Sequence, residues 1–196
     1  MKELQPHQYL SKNEVQALSQ TVQEKAAFDR EKGRKVWPRI EMMINVALGT
    51  GLRVAELAEL KVKHLKLKSE PSVHVANGKG GRSRDVLISD TLKRSLKKYI
   101  QANRLKDEDY LLNVNGKQYT TMGLQQQFKK VAKAAGLSEK YSIHCLRHTY
   151  GTYLYEKERD LRMVQNQLGH SSVNTTAIYA GVAKERTFDA VNGLYS

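Results

Sequence analysis

His144-Cys145-Leu146-Arg147-His148-Thr149, then Leu168-Gly169-His170, then Tyr179 lie at fixed spacings near the end of this 196-residue chain. Ser142 can cap a helix that carries His144 and Arg147. Leu161–Leu168 reads as a short helix stopped by Gly169, and Ser172 can cap the helix leading to Tyr179. These groups suit a phosphodiester. An arginine clamps two phosphate oxygens through its planar fork, histidines give or take protons, and a tyrosine hydroxyl can attack. His144 and Arg147, three apart, share a helix face.

Working outward, Gly49-Thr50-Gly51-Leu52-Arg53-Val54-Ala55-Glu56-Leu57 puts a second arginine at the start of a helix, where free N–H groups favour an anion. Asn77-Gly78-Lys79-Gly80-Gly81 puts a lysine on a tight turn between two strands. Its glycines relieve positive-φ strain and allow close approach to a ligand. Leu65 and Leu67, Val73 and Val75, Val86 and Ile88 each skip one residue, which predicts a three-stranded antiparallel sheet. Ser11-Lys12-Asn13-Glu14 is a capping box ahead of Val15, Leu18, Val22 and Ala26 at helical spacing. Pro38 suits the first turn of a second helix ending at Gly49-Thr50-Gly51. Further helices begin at Ser89 and Thr121, the latter closed by Gly136, and Asn115-Gly116 marks a turn. The expected fold is α+β, mainly α-helical with a small three-stranded antiparallel sheet. Residues 1–10 read as a tail or linker remnant, 11–180 as the functional domain, and 181–196 as a C-terminal tail helix.

The charge points to the partner. Lys+Arg total 33 against 20 Asp+Glu, a net +13, and residues 61–106 hold 13 basic and 3 acidic side chains, or +10 of it. Such a block calls for a polyanion, nucleic acid before membrane. Candidates for neutralising phosphates are Lys61, Lys63, Arg82, Arg84, Lys93, Arg94, Lys97 and Lys98. No apolar run approaches the ~20 residues of a membrane span, and no secretory signal is visible. The lone Cys145 excludes an internal disulfide and fits a reducing, cytoplasmic setting.

Each feature also has a plain reading. Arg53 can be a surface arginine paired with Glu56, and Lys79 a solvated hairpin tip. His144 and His148 invite zinc, but no third ligand is evident and Arg147 would stand beside the metal. Cys145 beside His144 invites a thiol nucleophile, but adjacent helix residues diverge by about 100°. Tyr150, Tyr153 and Tyr155 compete with Tyr179 and look like helix packing.

Taken together, the segments resemble the tyrosine recombinase (phage integrase) family, and the match runs from Tyr9 to Tyr179. The resemblance implies that family's catalytic fold. It implies catalytic roles for Arg53, Lys79, His144, Arg147, His170 and Tyr179, with Glu56 orienting Arg53. Tyr179 would attack the scissile phosphate to form a 3′-phosphotyrosine, the arginines would neutralise the non-bridging oxygens, and Lys79 would serve the leaving 5′-oxygen. No cofactor is implied, neither metal nor ATP. The implied partner is double-stranded DNA, bound by a homo-tetramer of chains that are monomers alone, with the 181–196 tail docking on a neighbouring subunit. The leading reading is a site-specific recombinase; a type IB topoisomerase-like nicking-closing enzyme and a non-catalytic DNA-binding protein of the same fold are the alternatives. Two departures stand out. Family members usually carry a further N-terminal helical domain, for which 196 residues leave no room, and Glu156-Lys157-Glu158-Arg159-Asp160 lacks a glycine often found there, so a reshaped loop is expected.

Overall fold

The computed structural model describes residues 8–76, 83–170, 176 and 178–181. The first helix, α1 (Lys12–Glu31), opens on the expected capping box: Ser11 N–H donates to Glu14 Oε2 at 2.8 Å, and the Glu14 N–H donates to Ser11 Oγ. Leu18, Val22 and Ala26, four apart, are its fully buried stripe, and it packs along α2 (Val36–Thr50). Pro38 falls in the first turn of α2, where its missing N–H has no helical partner in any case. The helix ends in left-handed Gly51, and α3 (Val54–Ala58) follows.

The three-stranded antiparallel sheet forms as the alternation predicts, from β1 (Leu65–Lys66), β2 (Ser72–Val75) and β3 (Arg84–Leu87). Leu65 pairs with Val73 and Val73 with Val86, giving an apolar row on the inner face. Val75 pairs with Arg84 on that same face. On the outer face Asp85 holds Lys66 at 2.6 Å and His74 at 2.7 Å. Next come α4 (Asp90–Asn103), capped by Ser89, and a hairpin of β4 (Asn113–Val114) and β5 (Lys117–Gln118). Its turn residues Asn115 and Gly116 both have positive φ, as a two-residue hairpin turn requires. These strands of two residues are too short to leave a periodic signal in the sequence.

The last helices are α5 (Thr121–Ala134), α6 (His144–Glu158), α7 (Leu161–Leu168) and α8 (Ile178–Gly181). Ser142 does not cap α6 with its side chain. The N-cap position is Ile143, and Ser142 contributes its carbonyl to the Cys145 N–H at 2.9 Å. The reshaped loop is a tight one: Arg159 takes the left-handed conformation (φ 56) and Asp160 caps α7. Leu10 is no tail residue, because it is fully buried, its N–H donating to Thr149 Oγ1 and its carbonyl accepting from Tyr153. Two apolar clusters result. The large one spans α1, α2, the sheet, α5 and Leu146 of α6; the small one joins Val164, Leu168 and Tyr179 to Tyr150, Leu154 and Tyr155. Among the described residues no helix is long and apolar enough to cross a membrane.

Candidate active site

The break between α2 and α3 sets the first arginine. Gly51 has φ +62, and a Cβ there would lie 2.5 Å from the Tyr150 ring and 2.7 Å from Leu168, so only glycine fits. Arg53 then caps α3. Its N–H donates to Glu56 Oε2 at 2.8 Å, its Nη1 to Glu56 Oε1 at 2.9 Å and its Nη2 to the Gly169 carbonyl at 3.2 Å.

Arg147, one turn into α6, is buried and reaches the same place from the other side. Nη1 donates to the Gly51 carbonyl at 2.6 Å and Nη2 to the Leu168 carbonyl at 2.8 Å. Both acceptors end helices, where the partial charge is negative. Two guanidinium groups thus hang on the successive carbonyls of Leu168 and Gly169. Burial, then the charge of Arg53, lowers Arg147 to about 10, still protonated at neutral pH.

A third arginine joins them. Arg84 donates from Nη1 and Nη2 to the two oxygens of Glu56, both at 2.9 Å, and from Nε to the Gln167 carbonyl at 3.2 Å. Burial alone would raise the Glu56 carboxyl, but hydrogen bonds from Arg84 and the Arg53 backbone, the charge of Arg84 and the Arg53 side-chain hydrogen bond hold it below its ordinary value. Three guanidinium groups against one carboxylate leave a net +2 (3 − 1). A phosphodiester gains a second negative charge as a nucleophile adds to phosphorus, so this excess suits the transition state better than the ground state.

The rest of the site lies on α6 to α8. His170 follows left-handed Gly169, its Nδ1 3.0 Å from Thr176 Oγ1 and its ring stacked on Tyr179 with centroids 6.2 Å apart. Burial, then the charges of Arg147 and Arg53, push it down to about 4, so it is a neutral hydrogen-bonding group. Tyr179 is 1% exposed. A Cβ on Gly151 would come within 2.6 Å of its Cζ, so the hydroxyl end of the ring packs closely on the bare backbone of α6. Its hydroxyl is 3.4 Å from His148 Nδ1, a loose contact. Burial pushes the phenol up to about 12, against the pull of Arg147 and Arg53. Burial, then Arg147 and His144, lowers His148 to about 4.

Of the residues singled out in the sequence, the structure brings together Arg53, Glu56, Arg147, His170 and Tyr179. His144 stands exposed at the first turn of α6, while Arg147 turns inward. Lys79 and Arg82 lie outside the described residues, as do Ser172 and residues 182–196 of the C-terminal tail. Arg84 belongs inside the cluster rather than on the outer basic surface, its fork filled by Glu56. Lys61 and Lys63 both pair with exposed Glu108, at 3.1 and 2.9 Å. Lys93 pairs with Asp90, Arg94 bonds Thr91, and Lys97 and Lys98 are exposed on α4. Cys145 is buried and pushed up to about 12 by that burial, which suits packing and not attack. Among the described residues no group of His, Cys, Asp and Glu could hold a metal. Tyr153 is spent on Leu10, and Tyr150 is within a loose 3.4 Å of Gln167.

Sequence reasoning misses His148 beside Tyr179, Gly151 beneath it and the inward turn of Arg84. The last was readable: Arg84 is two residues from Val86, so strand alternation puts both on the buried face.

The chain is similar to proteins of known sequence and structure. Residues 8–186 match the model of the phage integrase family. The chain is 35% identical over 162 residues to tyrosine recombinase XerD of Oceanobacillus iheyensis, covering 79% of this chain and 54% of that protein. It is 32% identical over 186 residues to XerC of Staphylococcus carnosus, covering 92% and 59%. It thus spans rather more than half the length of these relatives. Among solved structures, XerH recombinase bound to its difH substrate superposes with a TM-score of 0.76 at 28% identity, covering 100% of this chain and 56% of XerH. XerA recombinase superposes at 0.77 and 27%, covering 96% and 66%. With the family model spanning nearly all of the chain, and the arginines, His170 and Tyr179 gathered at one place in that fold, the chain belongs to the phage integrase family.

Proposed function

We propose that this chain is the catalytic part of a site-specific DNA recombinase, cleaving and rejoining strands through a 3′-phosphotyrosine on Tyr179. The observation that carries the reading is the pair Arg53 and Arg147, fixed on the Leu168 and Gly169 carbonyls beside Tyr179 with a net +2 around them. In the reaction the Tyr179 oxygen bonds to phosphorus and the P–O5′ bond breaks. The phenolic proton leaves, and the departing 5′-oxygen takes one up. Arg53 and Arg147 bind the non-bridging oxygens, and neutral His170 adds a hydrogen bond; His144 assists proton transfer, and Lys79 protonates the 5′-oxygen. Glu56 orients Arg53. The phosphotyrosine keeps the bond energy for rejoining, so the chemistry calls for neither metal nor ATP. The partner is double-stranded DNA, gripped on the basic block by chains that assemble as a tetramer, in the cytoplasm. Tyr179 is buried, so its hydroxyl has to be uncovered before it meets a phosphate.

The test is a library of nicked suicide duplexes of randomised sequence incubated with the protein. A strand that stays attached on a denaturing gel, is absent with Tyr179→Phe and maps to Tyr179 by peptide sequencing is the expected result. No adduct across the library, or one mapped to another tyrosine, rejects the reading.

A further inference from the structure

We infer that Arg84 is a positioning residue that occupies the Glu56 carboxylate and so leaves the outer fork of Arg53 for a phosphate. The inference deepens the proposed function and rests on that reading of the site. A carboxylate offers about four lone-pair sites on its two oxygens. Those of Glu56 are all taken, by the two terminal nitrogens of Arg84, by Arg53 Nη1 and by the Arg53 backbone N–H. Arg84 fills one site on each oxygen in a parallel fork, the strong geometry for this pair. Arg53 is thereby held to Glu56 by a single side-chain nitrogen. Its Nη2 rests on the Gly169 carbonyl at a longer 3.2 Å, and its side chain keeps 24% exposure where those of Arg84 and Glu56 keep 11% and 5%.

Without Arg84 the nearly buried carboxylate has two open sites next to Arg53. A buried charge that loses its partner is strongly destabilised, which favours a closer bond to the cation that remains beside it. Arg53 Nη2 then leaves Gly169 for Glu56, and the fork that faced outward faces the carboxylate. The seat of Arg84 is built for it: a Cβ on Gly169 would lie 2.7 Å from Arg84 Cδ and 2.8 Å from Nε, and the Gln167 carbonyl takes the Nε–H. Arg84 opens β3, so this seat also joins the sheet to the carbonyl pair that holds both other arginines.

A residue that only braced β3 against α7 would respond differently to a second change at Glu56, and the experiment uses this. Single-turnover adduct formation is measured on the duplex recovered with the parent chain, and binding of inorganic phosphate is followed by the Arg53 Nε–Hε resonance. Arg84→Ala should slow the adduct by about 10²-fold, as loss of one oriented donor does, and weaken phosphate binding. Adding Glu56→Gln to Arg84→Ala removes the charge that captures Arg53, and should restore at least about tenfold of both, although Glu56→Gln alone is slower than the parent. Parental behaviour of Arg84→Ala, or a double variant no better than Arg84→Ala when thermal melts show both folded, overturns the inference. Should Arg84→Ala not fold, Arg84→Lys carries the test, since one amine cannot fill both oxygens: an intermediate loss relieved by Glu56→Gln supports the inference, and parental values or no relief overturn it. A parent chain that forms no adduct rejects the recombinase reading instead, and the phosphate titration still decides the role of Arg84.

Discussion

Tyr179, His148 and His170 are held neutral by burial beside charged arginines, and their protonation is linked to folding. The two histidines titrate near 4 in the folded chain against about 6.5 unfolded, so the unfolded state binds more protons between those values. Stability from this source is complete above pH 6.5 and is lost as pH falls toward 4. The melting temperature should therefore drop over that window, and His148→Gln with His170→Gln should flatten the profile; an equal drop in the double variant would reject the assignment. Tyr179→Phe removes one oxygen whose contact to His148 is already long, so it should abolish the adduct while moving the melt by less than about 1 kcal/mol. Arg147→Lys keeps the charge but not the fork that spans the Gly51 and Leu168 carbonyls. Its single-turnover rate should fall by about 10²–10³, with the KM for duplex changed far less.

Short helices carry the site, and their ends decide its geometry. Asp160 accepts from the Arg162 and Met163 N–H groups at 2.8 and 3.0 Å and so fixes the start of α7, whose last carbonyls seat Arg53 and Arg147. Asp160→Ala should cost about 1 kcal/mol in a denaturant titration and slow adduct formation by more than that loss explains. Arg159→Gly, at φ 56, should instead stabilise by about 1 kcal/mol, since a left-handed residue with a side chain carries that strain; a destabilised variant would mean that the Arg159 contact to the Tyr155 ring outweighs it. These ends were also the most legible part of the sequence. The Ser11 box, Ser89, Gly136 and Gly169 mark helix limits in the chain as in the fold, and alternation places all three strands of the sheet. Ser142 misleads because a backbone turn does the work of a side-chain cap. Burial of Tyr179 is invisible because a four-residue helix has no period, and Leu10 because a single apolar residue ahead of a cap carries no pattern. The site itself joins Arg53 to Gly169 across 116 positions, and no local rule reaches that far; the quoted motifs do so only through the resemblance.

Across the whole molecule the +13 charge sets how the chain would meet DNA under the proposed function, and the fold revises the count that the sequence suggests. Of the 13 basic residues in 61–106, Lys61, Lys63, Lys66, Arg84 and Lys93 are in ion pairs with acidic groups, so at most eight remain (13 − 5). Each neutralised phosphate contributes about −0.9 to the slope of log affinity against log salt, so the contribution of this block to the slope should be no steeper than about −7. The pairs are not equal. Arg84 is locked in the site, whereas Lys61 and Lys63 share one carboxylate, Glu108, whose side chain is 70% exposed, and such a pair is worth little. Glu108 therefore acts as a weak competitor with phosphate for two lysines. Glu108→Gln should tighten binding of a random-sequence duplex, measured by fluorescence anisotropy between 50 and 200 mM salt, and steepen the slope by about 1 to 2 if both lysines take up a phosphate. An unchanged slope would mean that Lys61 and Lys63 face away from the duplex. The same variant on the Arg84→Ala background should show the same increment, because the two sites draw on different carboxylates.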